Sequence, residues 1–531
     1  MAERMAVSPR NHRVVVVGAG IGGLVSALLL ACRGLDVTLV EAAPTPGGKM
    51  RQVWVDGVAV DSGPTVFTMR WVFDQILAEA GTTLEALLRL SPLDVLARHA
   101  WRACDQRLDL FADVQRSADA IAAFSSPAEA RRFLGFCAQA KKVYQTLEGP
   151  YIRSARPSLL SLAADLGPRG LGVLAGLGPF ATLWQSLARH FHDPRLQQLF
   201  GRYATYCGSS PWAAPATLML VAQVELDGVW SVQGGMHRVA QVFSELAAQR
   251  GVTLRYGQAV ERIEVQGGRV SAVRLADGTV LPADSVVFNG DSNALAAGLL
   301  GPAVQRAVPA VPVRKRSLSA LTWSMHTRAS GFPLVRHNVF FDHHYACEFE
   351  DIFKHRRLPQ QGTVYVCAQD RDDAAAGPAG PERLLCLVNA PPDGDQAHPS
   401  FNALETRSCE HRSLALLRHC GLTLEPQAQQ TRCTTPQDFA HLFPATGGAL
   451  YGPATHGWMS SFKRPASTSA VPGLYLAGGS VHPGPGLPMA ALSGQLAAAT
   501  LMAHLDSTSP SRRVRISGGT SMPSATAANT A

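Results

Sequence analysis

Residues 14–41 hold a strand, a glycine turn, a helix and a second strand in one unbroken run. Val14-Val15-Val16-Val17 precedes Gly18-Ala19-Gly20-Ile21-Gly22-Gly23, and Val37-Thr38-Leu39-Val40 leads into Glu41. This is the order of a dinucleotide-binding unit, and each glycine has its own task. Gly18 makes the tight turn, Gly20 lets the backbone at Ile21 approach a pyrophosphate, and Gly23 lets the helix pack on the strand. Amides at the helix start then meet the phosphates, helped by the helix dipole. Glu41 ends the second strand, where a carboxylate can accept hydrogen bonds from ribose hydroxyls. Small Ala27 and Ala31 on the helix and Gly34 at the next turn fit the same unit.

The residues just after Glu41 narrow the nucleotide. Ala42-Ala43-Pro44-Thr45-Pro46-Gly47-Gly48-Lys49 adds a second glycine pair and a cation, an extension found in FAD enzymes. The cation is normally Arg, and Lys49 replaces a bidentate fork with a point charge. Asp61-Ser62-Gly63-Pro64-Thr65 is a turn of small residues that can bring Gly63, Pro64 and Thr65 against a flat ring system. FAD is the expected cofactor.

At 531 residues the chain needs two or more cores. A formal net charge of +8 is modest, and no cluster of bases interleaved with aromatics points to nucleic acid. Arg314-Lys315-Arg316 and Lys354-His355-Arg356-Arg357 read as solvated surface, with attraction to anionic lipid as the alternative. The 10 cysteines are scattered without a CxxC pair, so no metal is expected. No secretory signal precedes the first strand, and a cytoplasmic location is the resulting expectation.

Three separated stretches, 12–85, 228–300 and 470–505, read as one discontinuous FAD-binding domain. The middle one opens at Gly228-Val229-Trp230, passes Gly234-Gly235-Met236-His237-Arg238 into a helix, and continues as short strands that include Val260. Residues 86–227 read as mainly helical, with Ala130, Phe133, Leu134 and Cys137 at helical spacing. Residues 301–469 mix strands and helices as a substrate domain, and 506–531 read as a disordered tail. The uncharged run 171–188 carries too many glycines for a spanning helix. It is either a buried helical hairpin or a monotopic element dipping into one leaflet.

Near the end, Gly473-Leu474-Tyr475-Leu476-Ala477-Gly478-Gly479-Ser480 is a buried strand closing on a glycine turn. Val481-His482-Pro483-Gly484-Pro485-Gly486-Leu487-Pro488 comes next, then a small-residue helix from Met489. Pro488 suits a helix start, and the free amides behind it would meet the N1–O2 edge of a flavin. Together these features resemble the bacterial carotenoid (phytoene) desaturase family over nearly the whole chain. Within it the chain is most similar to the hydroxyneurosporene or methoxyneurosporene desaturases of purple phototrophs. That likeness rests on segments such as His337-Asn338-Val339-Phe340-Phe341, Val364-Tyr365-Val366-Cys367, Gly447-Gly448-Ala449-Leu450-Tyr451 and Leu487-Pro488-Met489-Ala490.

The resemblance implies an α/β fold: a Rossmann-like FAD-binding domain of flavin amine oxidase type, an inserted mixed substrate domain and a helical region able to associate with a membrane. It implies FAD-dependent insertion of a C3–C4 double bond into acyclic 1-hydroxy or 1-methoxy carotenoids, on the route to spheroidene or spirilloxanthin. It also implies peripheral attachment to the inner or photosynthetic membrane, and oxygen or a quinone as electron acceptor. Cofactor contacts are expected at Gly18, Gly20, Ile21, Gly23, Glu41, Gly48, Lys49, Gly63, Pro64, Thr65, Val260, Gly479, Pro488 and Met489. Two departures stand out: Lys49 for Arg, and Gly479-Ser480 without the acid many such enzymes place near the ribityl chain.

No proton acceptor is fixed by the sequence. His482 lies in the closing turn and serves either as a base or as a turn-fixing imidazole. Glu225, with Asp227, precedes the Gly-Val-Trp turn and is a base or a surface or cap residue. Tyr203, Tyr206, Phe340 and Phe341 line a tunnel or sit in ordinary core. Other readings stay open: a phytoene desaturase or carotene isomerase of the same family, a monoamine oxidase-like flavoenzyme, or a lipid-carrying protein without flavin.

Overall fold

A computed structural model describes residues 12–508, apart from 179, 372–376, 397–400 and 427. The four-valine run forms the strand Arg13–Val17 at the centre of a five-stranded sheet. Across that sheet the order is Leu474–Leu476, Ser285–Phe288, Arg13–Val17, Asp36–Val40 and Thr253–Arg255, and all four pairings are parallel. Parallel strands covered on both faces need continuous apolar runs, which is why valine follows valine here. The sheet thus draws one strand or more from each of the three stretches read from the sequence.

The helix Ile21–Cys32 covers one face and is buried over its first ten residues, without a side-chain cap at Gly20. It packs against His237–Gln249 and against the closing helix Leu487–Thr508. The closest approach is between glycines: a Cβ on Gly494 would run into the Gly22 carbonyl. The closing helix continues through residues 506–508, and the rest of the expected tail lies outside the described residues.

A second sheet of seven strands forms the other half of the molecule. Its order is Thr431–Thr434, Ser319–Thr327, Glu382–Ala390, Val364–Ala368, His337–Phe341, Val95–Trp101 and Cys104–Phe111. The last two strands come from the region read as mainly helical. Val95–Trp101 is buried at six of its seven positions, so it lacks the alternation that marks a half-exposed strand. Beyond that hairpin the region is helical, beginning with Val114–Phe124 and Pro127–Leu147.

Residues 159–190 form two helices, Leu159–Gly176 and Leu183–His190. The first is kinked at Gly167, just before Pro168. Among the described residues no helix is long and apolar enough to cross a membrane. The pair is not buried throughout: Leu171, in the first helix, is 45% exposed, and Phe180, between the two, 75%.

Candidate cofactor and substrate site

The glycine turn is built for close approach. A Cβ on Gly23 would strike the Gly18 carbonyl, and one on Gly20 would come within 2.9 Å of the Asn289 side-chain nitrogen. Asn289 follows the strand Ser285–Phe288 and donates to the Gly18 carbonyl at 3.2 Å, bracing the turn from below. Only its place at a strand end could have marked it in the sequence. The Glu41 carboxylate accepts from Ala19 N at 2.7 Å and from Ala43 N at 2.8 Å. Gln258 N and Gly257 N donate to the carbonyls of Glu41 and Ala43, which brings the approach to Val260 beside the acid.

The second glycine pair is fastened to the first. Gly47 N donates to the Ala19 carbonyl at 2.9 Å, and the His237 ring meets the Pro46 carbonyl at 2.9 Å. The backbone at Gly48 packs near Gly20. Lys49 is turned elsewhere: its Nζ donates to the Leu450 carbonyl at 2.5 Å and lies 5.3 Å from the Phe443 ring centre. Burial lowers its pKa, and the Asp291 carboxylate opposes that shift. Lys49 therefore ties this loop to the segment around 450.

Asp61 holds the next turn. It is buried, accepts from Met236 N at 2.5 Å, and leaves no room for a side chain at Gly235. Gly63 is equally constrained, since a Cβ there would run into the Lys49 carbonyl. The turn carries Gly63, Pro64 and Thr65 into the wall of a large cavity. Gly486, Leu487, Pro488 and Met489, at the start of the closing helix, line the same cavity. The helix begins at Leu487, so Pro488 is its second residue, where a missing N–H costs nothing. Gly479 offers its carbonyl to Arg464, whose guanidinium also reaches the Tyr451 and Pro453 carbonyls. Ser480 accepts from Ser292 N at 2.9 Å.

These features fit a flavin dinucleotide: a glycine turn at a helix start, a carboxylate at the second strand end, and two turns in the wall of one cavity. The cavity has a volume of about 780 Å³. Its wall is mostly aliphatic, with Leu162, Leu166, Leu174, Leu218, Leu385 and Leu387 among its members. At one rim stand Leu171, Gly178 and Trp458.

Of the two base candidates, Glu225 lines this cavity. It is 6% exposed and accepts from the Tyr203 hydroxyl at 2.8 Å and from the Tyr206 hydroxyl. His482 is buried beneath Tyr151, its ring edge-on at 5.0 Å. Neither of its ring nitrogens has a hydrogen-bond partner among the described residues. Burial pulls its pKa down to about 4; the Ser154 and Tyr151 carbonyls lie near enough to favour the charged form, though outside hydrogen-bond geometry. It is not among the residues that line the cavity. Asp227 is bonded to Gln223 at 2.6 Å, away from the cavity wall. Tyr206 lines the cavity, whereas Tyr203, Phe340 and Phe341 are core.

Sequence reasoning missed a polar chain along the sheet side of the wall. The Thr65 and Tyr365 hydroxyls are 2.7 Å apart, and the Tyr365 hydroxyl is 2.7 Å from His337 Nδ1. Burial, with Arg336 and Arg202 nearby, pulls His337 down to about 3. Pairing of the strands His337–Phe341 and Val364–Ala368 brings His337 beside Tyr365, and the turn after Asp61 delivers Thr65 to them.

Residues 21–502 match the family of flavin-containing amine oxidoreductases. The hydroxyneurosporene desaturase of Rubrivivax gelatinosus is 69% identical over 522 residues, covering 98% of this chain and 99% of the relative. The hydroxyneurosporene desaturase of Cereibacter sphaeroides is 47% identical, covering 94% and 99%. Among solved structures, an oxidoreductase from Methanosarcina mazei superposes with a TM-score of 0.58 at 15% identity, covering 92% of this chain and 100% of that one. The fold is thus that of the flavin amine oxidases, and the cofactor is FAD. The chain belongs to the flavin-containing amine oxidoreductase family and, within it, to the carotenoid desaturases that these relatives represent.

Proposed function

We propose that this protein inserts a C3–C4 double bond into acyclic 1-hydroxy and 1-methoxy carotenoids. One observation carries the reading. An aliphatic cavity of about 780 Å³ opens on the flavin-facing turns of a chain 69% identical to a hydroxyneurosporene desaturase. When bound, FAD supplies the hydride acceptor.

The chain's own residues orient the substrate and manage the proton. The leucine-rich wall excludes water and aligns a long apolar molecule along the cavity. Backbone amides at the start of the closing helix favour negative charge at the edge they face. Glu225 and Glu348 both stand in the wall; Glu348 accepts from Thr363 and Asn389, and in this reading Glu225 receives the proton lost from the substrate, with the Tyr206 hydroxyl beside it.

A membrane surface is the proposed source of substrate. Leu160, Leu171, Phe180 and Trp458 are 86%, 45%, 75% and 45% exposed. The Phe180 and Trp458 rings meet edge-on at 5.8 Å, and Leu171 and Trp458 also line the cavity. An apolar rim at the mouth of an apolar cavity suits peripheral attachment, with the rim seated among lipid chains. Attachment is to the cytoplasmic side of the inner or photosynthetic membrane, and the terminal electron acceptor is oxygen or a quinone. Incubating the FAD-loaded protein with 1-hydroxy, 1-methoxy and unoxygenated acyclic carotenoids tests the reading. A product with one more double bond is expected from the first two, and desaturation of phytoene alone would refute it.

A further inference from the structure

One face of the seven-stranded sheet forms part of the cavity wall. Leu385, Leu387 and Asn389, at every second position of Glu382–Ala390, all line the cavity. Leu384, Cys386 and Val388, between them, belong to the core behind the sheet. Thr363 and Tyr365 line the cavity in the same way, while Val364 and Val366 join that core. This alternation is the strand period, so Asn389 ends a row of leucines with an amide on the cavity face.

Glu348 decides how that amide is turned. It is 1% exposed, and its Oε2 accepts from Thr363 N at 2.9 Å and from Thr363 Oγ1 at 2.7 Å. Its Oε1 accepts from Asn389 Nδ2 at 2.7 Å. Burial pushes the Glu348 carboxyl up, and these donors oppose that shift by favouring the ionised form. An ionised carboxylate only accepts, so Asn389 has to point its nitrogen at Glu348. The amide oxygen is left over. Asn389 is only partly buried, and its Oδ1 has no donor among the described residues and is not sealed into the core. The Thr363 hydroxyl hydrogen is likewise taken by Glu348. The second N–H of Asn389 can meet a hydroxyl or an ether oxygen equally, so what sets the spot apart is its open acceptor.

The spot lies near the flavin-facing turn. Tyr365, two residues or roughly 7 Å of extended chain from Thr363, is hydrogen-bonded to Thr65 of that turn. We infer that Asn389 accepts a hydrogen bond from the C1 hydroxyl of the carotenoid, with Glu348 as the positioning residue that presents the amide oxygen to the cavity. This rests on the desaturase reading and names what ranks its substrates. A methyl ether enters the same site but has no hydrogen to donate, so it binds less tightly than the alcohol. A hydrocarbon leaves the amide unpaired altogether, the situation in which polar sites discriminate most strongly.

The test uses the FAD-loaded protein in detergent micelles with three ligands: a 1-hydroxy carotenoid, its 1-methoxy ether and the same skeleton without oxygen. Binding is read from quenching of tryptophan fluorescence, and turnover from chromatography of products. Wild type is expected to bind the alcohol about three- to tenfold more tightly than the ether, the scale of one neutral hydrogen bond. In Glu348→Gln the new amide keeps an oxygen for Thr363 and turns an N–H toward Asn389, which must then rotate its own oxygen away from the cavity. The preference for alcohol over ether is expected to fall to about unity there, through KM more than through kcat. Asn389→Leu should lose it too, and the isosteric Glu348→Gln decides the matter if Asn389→Leu folds poorly. Equal binding of alcohol and ether by wild type, or an undiminished preference in Glu348→Gln, would overturn the inference. If no ligand gains a double bond, the desaturase reading fails, while the binding preference and its response to the variants still decide the roles of Asn389 and Glu348.

Discussion

Glu41 reaches back across the nucleotide turn to accept the Ala19 amide hydrogen at 2.7 Å, while its other oxygen accepts from Ala43 at 2.8 Å. One carboxylate therefore fixes both loops that flank the ribose position. Glu41→Ala removes both bonds and the acceptor for ribose hydroxyls. We expect FAD binding to weaken by about 2 kcal/mol or more, the scale of hydrogen bonds to charged groups. Reconstitution of apoprotein, followed by flavin fluorescence quenching, measures this directly. Wild-type affinity in the variant would remove Glu41 from the cofactor site.

Gly63 tests the junction between the glycine pair and the flavin-facing turn. An added methyl would meet the Lys49 carbonyl, which is backbone and cannot swing aside. Gly63→Ala should shift the Asp61–Met236 anchor and lower the flavin retained on purification several-fold, with circular dichroism close to wild type. The ratio of flavin to protein absorbance reports the outcome.

Acid stability depends on the buried histidines. Burial lowers His99 and His337 to about 3 and His482 to about 4, below the ordinary 6.5. The unfolded chain binds their protons first as pH falls. Their contribution is therefore intact above 6.5 and is lost progressively below it, toward 4 and then 3. The slope is about 1.4 kcal/mol per pH unit for each histidine in that window. Melting temperature should fall between pH 7 and pH 5, and less steeply in His482→Gln. An equal slope in that variant would contradict the burial argument for His482.

The rim supplies a fourth expectation. Burying an aromatic side chain is worth about 1.5–3 kcal/mol. Phe180→Asp combined with Trp458→Ser should cut co-sedimentation with phospholipid vesicles by tenfold or more. Turnover of micellar substrate should change much less. Unchanged vesicle binding would separate the exposed rim from any membrane role.

Legibility in the sequence tracked locality. The unit from the first strand to Glu41 could be read because its period, turn and acid lie within 28 consecutive residues, 14–41. The closing turn was legible for the same reason. Val95–Trp101 was not, since a strand buried on both faces loses its alternation. Asn289 and Asp61 act through partners 271 and 175 residues away, Gly18 and Met236, and nothing local names those partners. The polar group in the cavity wall is the extreme case. Tyr206, Glu225 and Tyr365 come from three elements, and only the packed fold brings them to one cavity wall.

The most direct test of the central claim is anaerobic mixing of the FAD-loaded protein with a 1-hydroxy acyclic carotenoid. We expect the oxidised flavin band to disappear as the carotenoid spectrum shifts to longer wavelength, with one double bond formed per flavin reduced. A flavin that stays oxidised with this substrate, yet is bleached by an amine, would contradict the account.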